Sequence, residues 1–157
     1  MRMRLLLDGV QSHESVARSA RALLALLGAL VTIDEDQIRA FDLPPLYASG
    51  VRYFTEPAGV EDWQDVVTTL ARGGGDCEDL VPWRVAELRV QGIAARPVVK
   101  AYPPTPTRRA WYWHILLKHG DERVEDPSRA LGMGEFEPFS PYTEFDQLVG
   151  NLANQVL

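Results

Sequence analysis

At Gly92 the chain changes its periodicity. Before it, apolar residues recur at helical spacing; after it, β-rich stretches occupy 93–102 and 110–118. Helices followed by strands predict an α+β fold in which an antiparallel sheet packs on helices. The 157 residues suffice for one domain with a real core and are too few for two. A single domain over 1–157 is therefore expected.

Val16, Ala20, Leu23, Leu24, Leu27 and Leu30 predict a helix that buries one face, turns Arg18 and Arg21 outward and is capped by Ser12. A short strand with Leu5 and Leu7 on one face precedes it. Beyond it, a short helix is expected over 34–41, ended by Pro44-Pro45, and an extended piece over 51–54. A second short helix over 62–70 takes Asp62 as its cap, and the triple glycine 73–75 ends it. The next helix opens at Asp76 or Cys77 and runs to Gln91, with Gly92 in the left-handed position past its end. Pro82 falls in its second turn, where it removes a backbone bond and is expected to bend the helix. The residues His119-Gly120-Asp121 read as a turn, with 122–126 pairing back as a hairpin. A wrapping tail with a short helix over 143–156 closes the chain.

Twenty-two acidic against 16 basic residues leave a net charge of −6, which argues against non-specific nucleic-acid binding. One cysteine excludes an internal disulfide, and no Cys-x-x-Cys or His-x-x-x-His pair offers a metal cage. No metal or cofactor is expected. The opening MRMRLLLDG lacks a signal-peptide core. Arg18, Ser19 and Arg21 interrupt the apolar run 16–33, so no membrane span is expected and a cytoplasmic protein is.

The residues able to do chemistry gather in GGGDCED at 73–79, His114 and Asp126. A thiol in the first turn of a helix faces unpaired N–H groups and the positive end of the dipole, which favour the thiolate. Asp76, Glu78 and Asp79 oppose this, so Cys77 needs a cationic partner, and a histidinium can be one. The bland alternative is a small buried thiol. His114 shares a strand face with Tyr112, Leu116 and Lys118, away from Trp111, Trp113, Ile115 and Leu117. Alone it reads as a structural histidine. Asp126, held extended by Pro127, can orient an imidazole as the third member of a triad; alone, Asp-Pro is a turn signal. The order Cys, His, Asp with spacings of 37 and 12 residues suits a helix, a strand and a hairpin partner.

Four stretches, GGGDCEDL at 73–80, AELRVQGI ending at 93, WYWHILL at 111–117 and EDPSRALGM at 125–133, together resemble the transglutaminase-like superfamily of papain-type cysteine enzymes. The likeness is greatest to small bacterial and phage-encoded members and spans roughly 51–133, leaving 1–50 as an N-terminal helical part and 134–157 as a tail. It implies a papain-like core, with the catalytic cysteine on a helix against an antiparallel sheet. It also implies Cys77 as nucleophile, His114 as base and Asp126 as its orienter. The Cys77 N–H is a natural first oxyanion donor; Trp63 and Gln64 are candidates for the second, with core packing the other role of Trp63. Gly75, Asp76 and Trp113 are candidate groove residues, although on a half-buried strand core packing is the favoured role of Trp111 and Trp113. His13 and His119 have no ligand-spaced partners and are expected on the surface. Arg108 and Arg109 are expected at a solvated loop tip.

The activity expected is hydrolysis of an amide or peptide bond in a peptide or protein substrate through an acyl-enzyme. Interception by an amine would make the same site a transamidase. The other class is a non-catalytic structural or assembly module with this fold, its partner a virion or assembly component.

Overall fold

The three-stranded antiparallel sheet predicted after Gly92 is present, and with it the α+β class. The computed structural model describes residues 2–4, 13–56, 61–106 and 111–134. In chain order they form β1 (Arg2–Arg4), α1 (His13–Ala40), a 3-10 turn (Leu46–Ala48), β2 (Arg52–Tyr53), β3 (Asp62–Gln64), α2 (Val66–Arg72) and β4 (Gly74–Gly75). Then come α3 (Cys77–Val90), β5 (Ala95–Tyr102), β6 (Tyr112–His119), β7 (Val124–Glu125) and α4 (Pro127–Ala130). The expected tail helix, Ser12, Leu5, Leu7, Arg108, Arg109 and the His13 side chain lie outside the described residues.

Strand β6 is central, in the order β5-β6-β7. Its register with β5 pairs Ala95 with His119 and Tyr102 with Tyr112. Alternation then sends Ala95, Val99, Ile115 and Leu117 to one face, where they meet Leu23, Leu27, Leu30 and Val31 of α1 and Val81, Val85, Ala86 and Leu88 of α3. Helix α3 is buried on nearly every side, from Glu78 through Leu88 apart from Arg84, as a helix enclosed by others and a sheet must be. A second cluster, Leu46, Val51, Val66, Leu80 and Trp83, lies between α3 and α2. Helix α1 has the length and apolarity of a membrane span, but here its apolar stripe is core.

Four expectations are corrected. The stretch 34–41 is not a separate helix: α1 continues to Ala40, because Asp34 is fully buried and its carboxylate accepts the Val66 N–H at 2.8 Å. The helix placed over 62–70 starts later. Asp62–Gln64 pair with β1 as a strand, and Asp65 caps α2 by accepting the Thr68 N–H at 3.0 Å. Pro82 does not interrupt α3, which runs unbroken to Val90. His119 ends β6 rather than standing in a surface turn, and it is buried.

Candidate active site

Helix α3 delivers Cys77 as its first residue, and the glycines before it are set by close approach. Gly73 ends α2 with φ 81, a left-handed conformation suited to glycine. Gly74 and Gly75 run parallel to β2; a Cβ on Gly74 would stand 2.0 Å from the Arg52 carbonyl oxygen, and one on Gly75 2.3 Å from Asp79 Oδ2. The space beside Gly75 is thus filled by Asp79. That carboxylate accepts the Gln64 N–H on Oδ1 at 2.8 Å and the Asp76 N–H on Oδ2 at 3.4 Å, tying β3 to the start of α3. Burial, then the neighbouring Asp76 charge, pushes its pKa up to about 8.

On β6, buried His114 has Nε2 3.0 Å from Asp126 Oδ2, while its Nδ1 has no partner. Asp126 leaves the end of β7 to cap α4, with Oδ1 accepting the Arg129 N–H at 3.2 Å. Burial opposes its ionisation, but the hydrogen bond and charge of His114 outweigh it and hold Asp126 below the ordinary carboxylate range.

The place of Cys77 along β6 follows from the ladder. The His119 N–H donates to the Arg123 carbonyl at 2.9 Å, so the odd-numbered residues of β6 aim their N–H groups at the β7 edge. Strand β7 pairs only with Leu117 and Lys118. Beyond its end the Ile115 N–H stands near the Cys77 sulfur and favours the thiolate. The nucleophile candidate therefore lies near the backbone of the residue next to His114.

The half-buried thiol donates to Glu78 Oε2 at 3.3 Å. Burial first, then the Glu78 and Asp76 charges, push the Cys77 pKa well up, and the Ile115 N–H pulls the other way. Carboxylate oxygens of Glu56, Asp76 and Glu78 lie within 4.8 Å of one another. Glu56 is matched by Arg72 at 3.3 Å and by the Asp62 N–H at 2.7 Å. Glu78, only 5% exposed, keeps Oε1 without a partner, and burial with the Asp76 charge raises its pKa far above the usual range. Burial also raises Asp76 to about 6. Crowded oxygens, two of them (Asp76 Oδ1 and Glu78 Oε1) buried and unmatched, fit a hard divalent cation.

Trp63 belongs to the core cluster that Cys77 packs against, and its indole Nε1–H is buried without an acceptor. Gln64 is buried with its side-chain amide committed to the Asp62 carbonyl at 3.2 Å. Of the two upstream donor candidates, Trp63 has its whole N–H unmatched, whereas the Gln64 amide has one of its two N–H groups engaged. Trp113 is half-buried and packs against two core clusters.

Two groupings were missed from the sequence. Glu56 joins Asp76 and Glu78 across 20 residues, a separation no ligand spacing announces. His119 pairs with Glu125 at 2.8 Å, among Arg84 and Tyr47; its one signal was the position of Glu125 beside Asp126. No protein-family model, curated protein or solved structure matches the chain.

Proposed function

We propose that the chain is a thiol-dependent hydrolase of the transglutaminase-like, papain-type kind, cleaving an amide or peptide bond through Cys77, His114 and Asp126. The observation that carries this reading is the His114 ring. Its Nε2 is engaged by Asp126 while the buried Nδ1 is left unmatched, one residue from the Ile115 N–H that favours the Cys77 thiolate.

His114 Nδ1 takes the thiol proton and the thiolate attacks the substrate carbonyl. Asp126 holds the ring and its positive charge. The oxyanion is met by the Cys77 N–H at the open end of α3 and by the Trp63 indole N–H, each worth about 3 kcal/mol. As the C–N bond breaks, His114 gives its proton to the leaving amine. Water then attacks the thioester, His114 takes its proton, and the acid leaves with the thiol restored. Glu56, Asp76 and Glu78 would hold a divalent cation, whose charge would offset the carboxylates that oppose the thiolate.

A second reading, a structural or assembly module of this fold, is favoured by the thiol's hydrogen bond to Glu78 rather than to His114. Burst kinetics with p-nitrophenyl acetate, with and without millimolar calcium, decide between them. The enzyme releases one equivalent of nitrophenol rapidly and carries an acetyl group on Cys77 by peptide mass mapping. The burst is absent in Cys77→Ala and slowed in His114→Ala. A burst absent from the parent chain under both conditions favours the module.

A further inference from the structure

Three side chains from three elements converge on Glu125, the residue before Asp126. The Tyr47 hydroxyl, in the 3-10 turn, donates to Oε1 at 2.6 Å, and Arg84 Nε of α3 donates to the same oxygen at 2.9 Å. His119 Nε2, at the end of β6, lies 2.8 Å from Oε2. Arg84 is itself fixed: it pairs with Glu87 at 3.1 Å and lies 5.0 Å over the Tyr47 ring. Burial opposes ionisation of Glu125, but these hydrogen bonds outweigh it and keep its pKa low.

The backbone gives this end of the sheet little hold. Strand β7 has two residues, and α4 after it has four, so neither rigidly fixes Asp126 between them. Arg84 stands seven residues after Cys77, two turns along the same face of α3 and about 10 Å up its axis. The helix that presents the thiol therefore also grips the residue beside Asp126.

We propose that Glu125 is a positioning residue: clamped by Arg84, Tyr47 and His119, it sets Asp126 in register with His114 and ties the orienting carboxylate to the helix that carries Cys77. This rests on the triad reading above. Glu125 touches no reacting atom.

The test reads the ring N–H protons of His114 and His119 by NMR, since an imidazole N–H bonded to a carboxylate resonates far downfield and exchanges slowly. Asp126→Asn removes the His114 signal. Glu125→Ala, confirmed folded by circular dichroism, is expected to lose the His119 signal with its acceptor and the His114 signal as well, and to slow acylation about tenfold or more. Tyr47→Phe removes one clamp hydrogen bond from a half-exposed side chain and is expected to hasten exchange at His114 without lowering the thermal midpoint. Survival of the His114 signal in folded Glu125→Ala, with parent-like exchange, overturns the proposal and leaves the triad standing. Should Glu125→Ala not fold, unchanged exchange at His114 in Tyr47→Phe overturns it. A His114 signal indifferent to Asp126→Asn removes the triad reading and this proposal together.

Discussion

Cys77 sits between opposed influences whose sizes can be compared. A helix N-terminus favours an anion by at most about 2 kcal/mol, whereas a unit charge at about 4 Å is worth about 4 kcal/mol at an effective dielectric near 20. Burial is the largest influence on the thiol, and the carboxyls of Glu78, at 3.3 Å, and Asp76 act with it, so the resting thiol keeps its proton. Trp63 shows a different division of labour, a ring in the core with an unmatched N–H at its edge. Trp63→Phe keeps an aromatic ring in the core but deletes the donor together with the five-membered part of the indole. It is expected to lower the acylation rate about 100-fold or more while leaving iodoacetamide alkylation of Cys77 unchanged; an unchanged acylation rate removes Trp63 from the oxyanion site. In the sequence the acids of GGGDCED were legible as opponents of the thiolate. The orphaned Trp63 N–H was not, because burial without a partner is a property of packing.

At the scale of elements, the start of α2 accounts for the largest departures from the sequence reading. Its first three free N–H groups are each met by a side chain: Val66 by Asp34, Val67 by Gln37 at 3.3 Å and Thr68 by Asp65. Two of these acceptors lie on α1, which explains why that helix passes through Asp34 to Ala40. An acid following an apolar run signals a helix boundary when only neighbours in sequence are visible; here its purpose is tertiary. Asp65→Ala is expected to cost about 1 kcal/mol in urea denaturation. Gly74→Ala, which sets a Cβ against the Arg52 carbonyl, should cost about 1–3 kcal/mol and separate β4 from β2. Equal stability of either variant with the parent contradicts the cap or the close approach. Helix α3, by contrast, was legible from end to end, because its glycine stops and apolar content are local signals.

Across the whole molecule, charge is distributed so that stability leans to acid. Asp34 and Asp79 are raised to about 8 and Asp76 to about 6, in each case chiefly by burial. In the unfolded chain these carboxyls ionise near about pH 4. Between that pH and about 8 the native state holds more protons, so stability falls as pH rises. Asp65, held near about 2 because its hydrogen bonds outweigh burial, and Asp126 and Glu125, lowered likewise, act in the opposite direction. Their contribution is present above about pH 4 and is lost as pH falls through their native values. The urea midpoint is therefore expected to peak near pH 4–5 and to fall steadily toward pH 8. A midpoint that rises over that interval contradicts the burial of these acids. The α+β order was legible because the switch of periodicity at Gly92 is a global pattern, whereas the convergence of carboxylates on Cys77 depends on how β2, β4 and α3 come together.

The central claim is that Cys77 is a nucleophile restrained by the carboxyls of Asp76 and Glu78 and activated by His114. The rate of its alkylation by iodoacetamide at pH 6.5 tests this most directly, in the parent chain, in Asp76→Asn and in Asp76→Asn with His114→Ala. Asp76, raised to about 6, is largely ionised there and opposes the thiolate. The parent is expected to react slowly, Asp76→Asn about tenfold or more faster, as relief of roughly 1.4 kcal/mol against the thiolate requires, and the double variant slowly again. An Asp76→Asn protein no faster than the parent, or a fast rate that persists without His114, contradicts the claim.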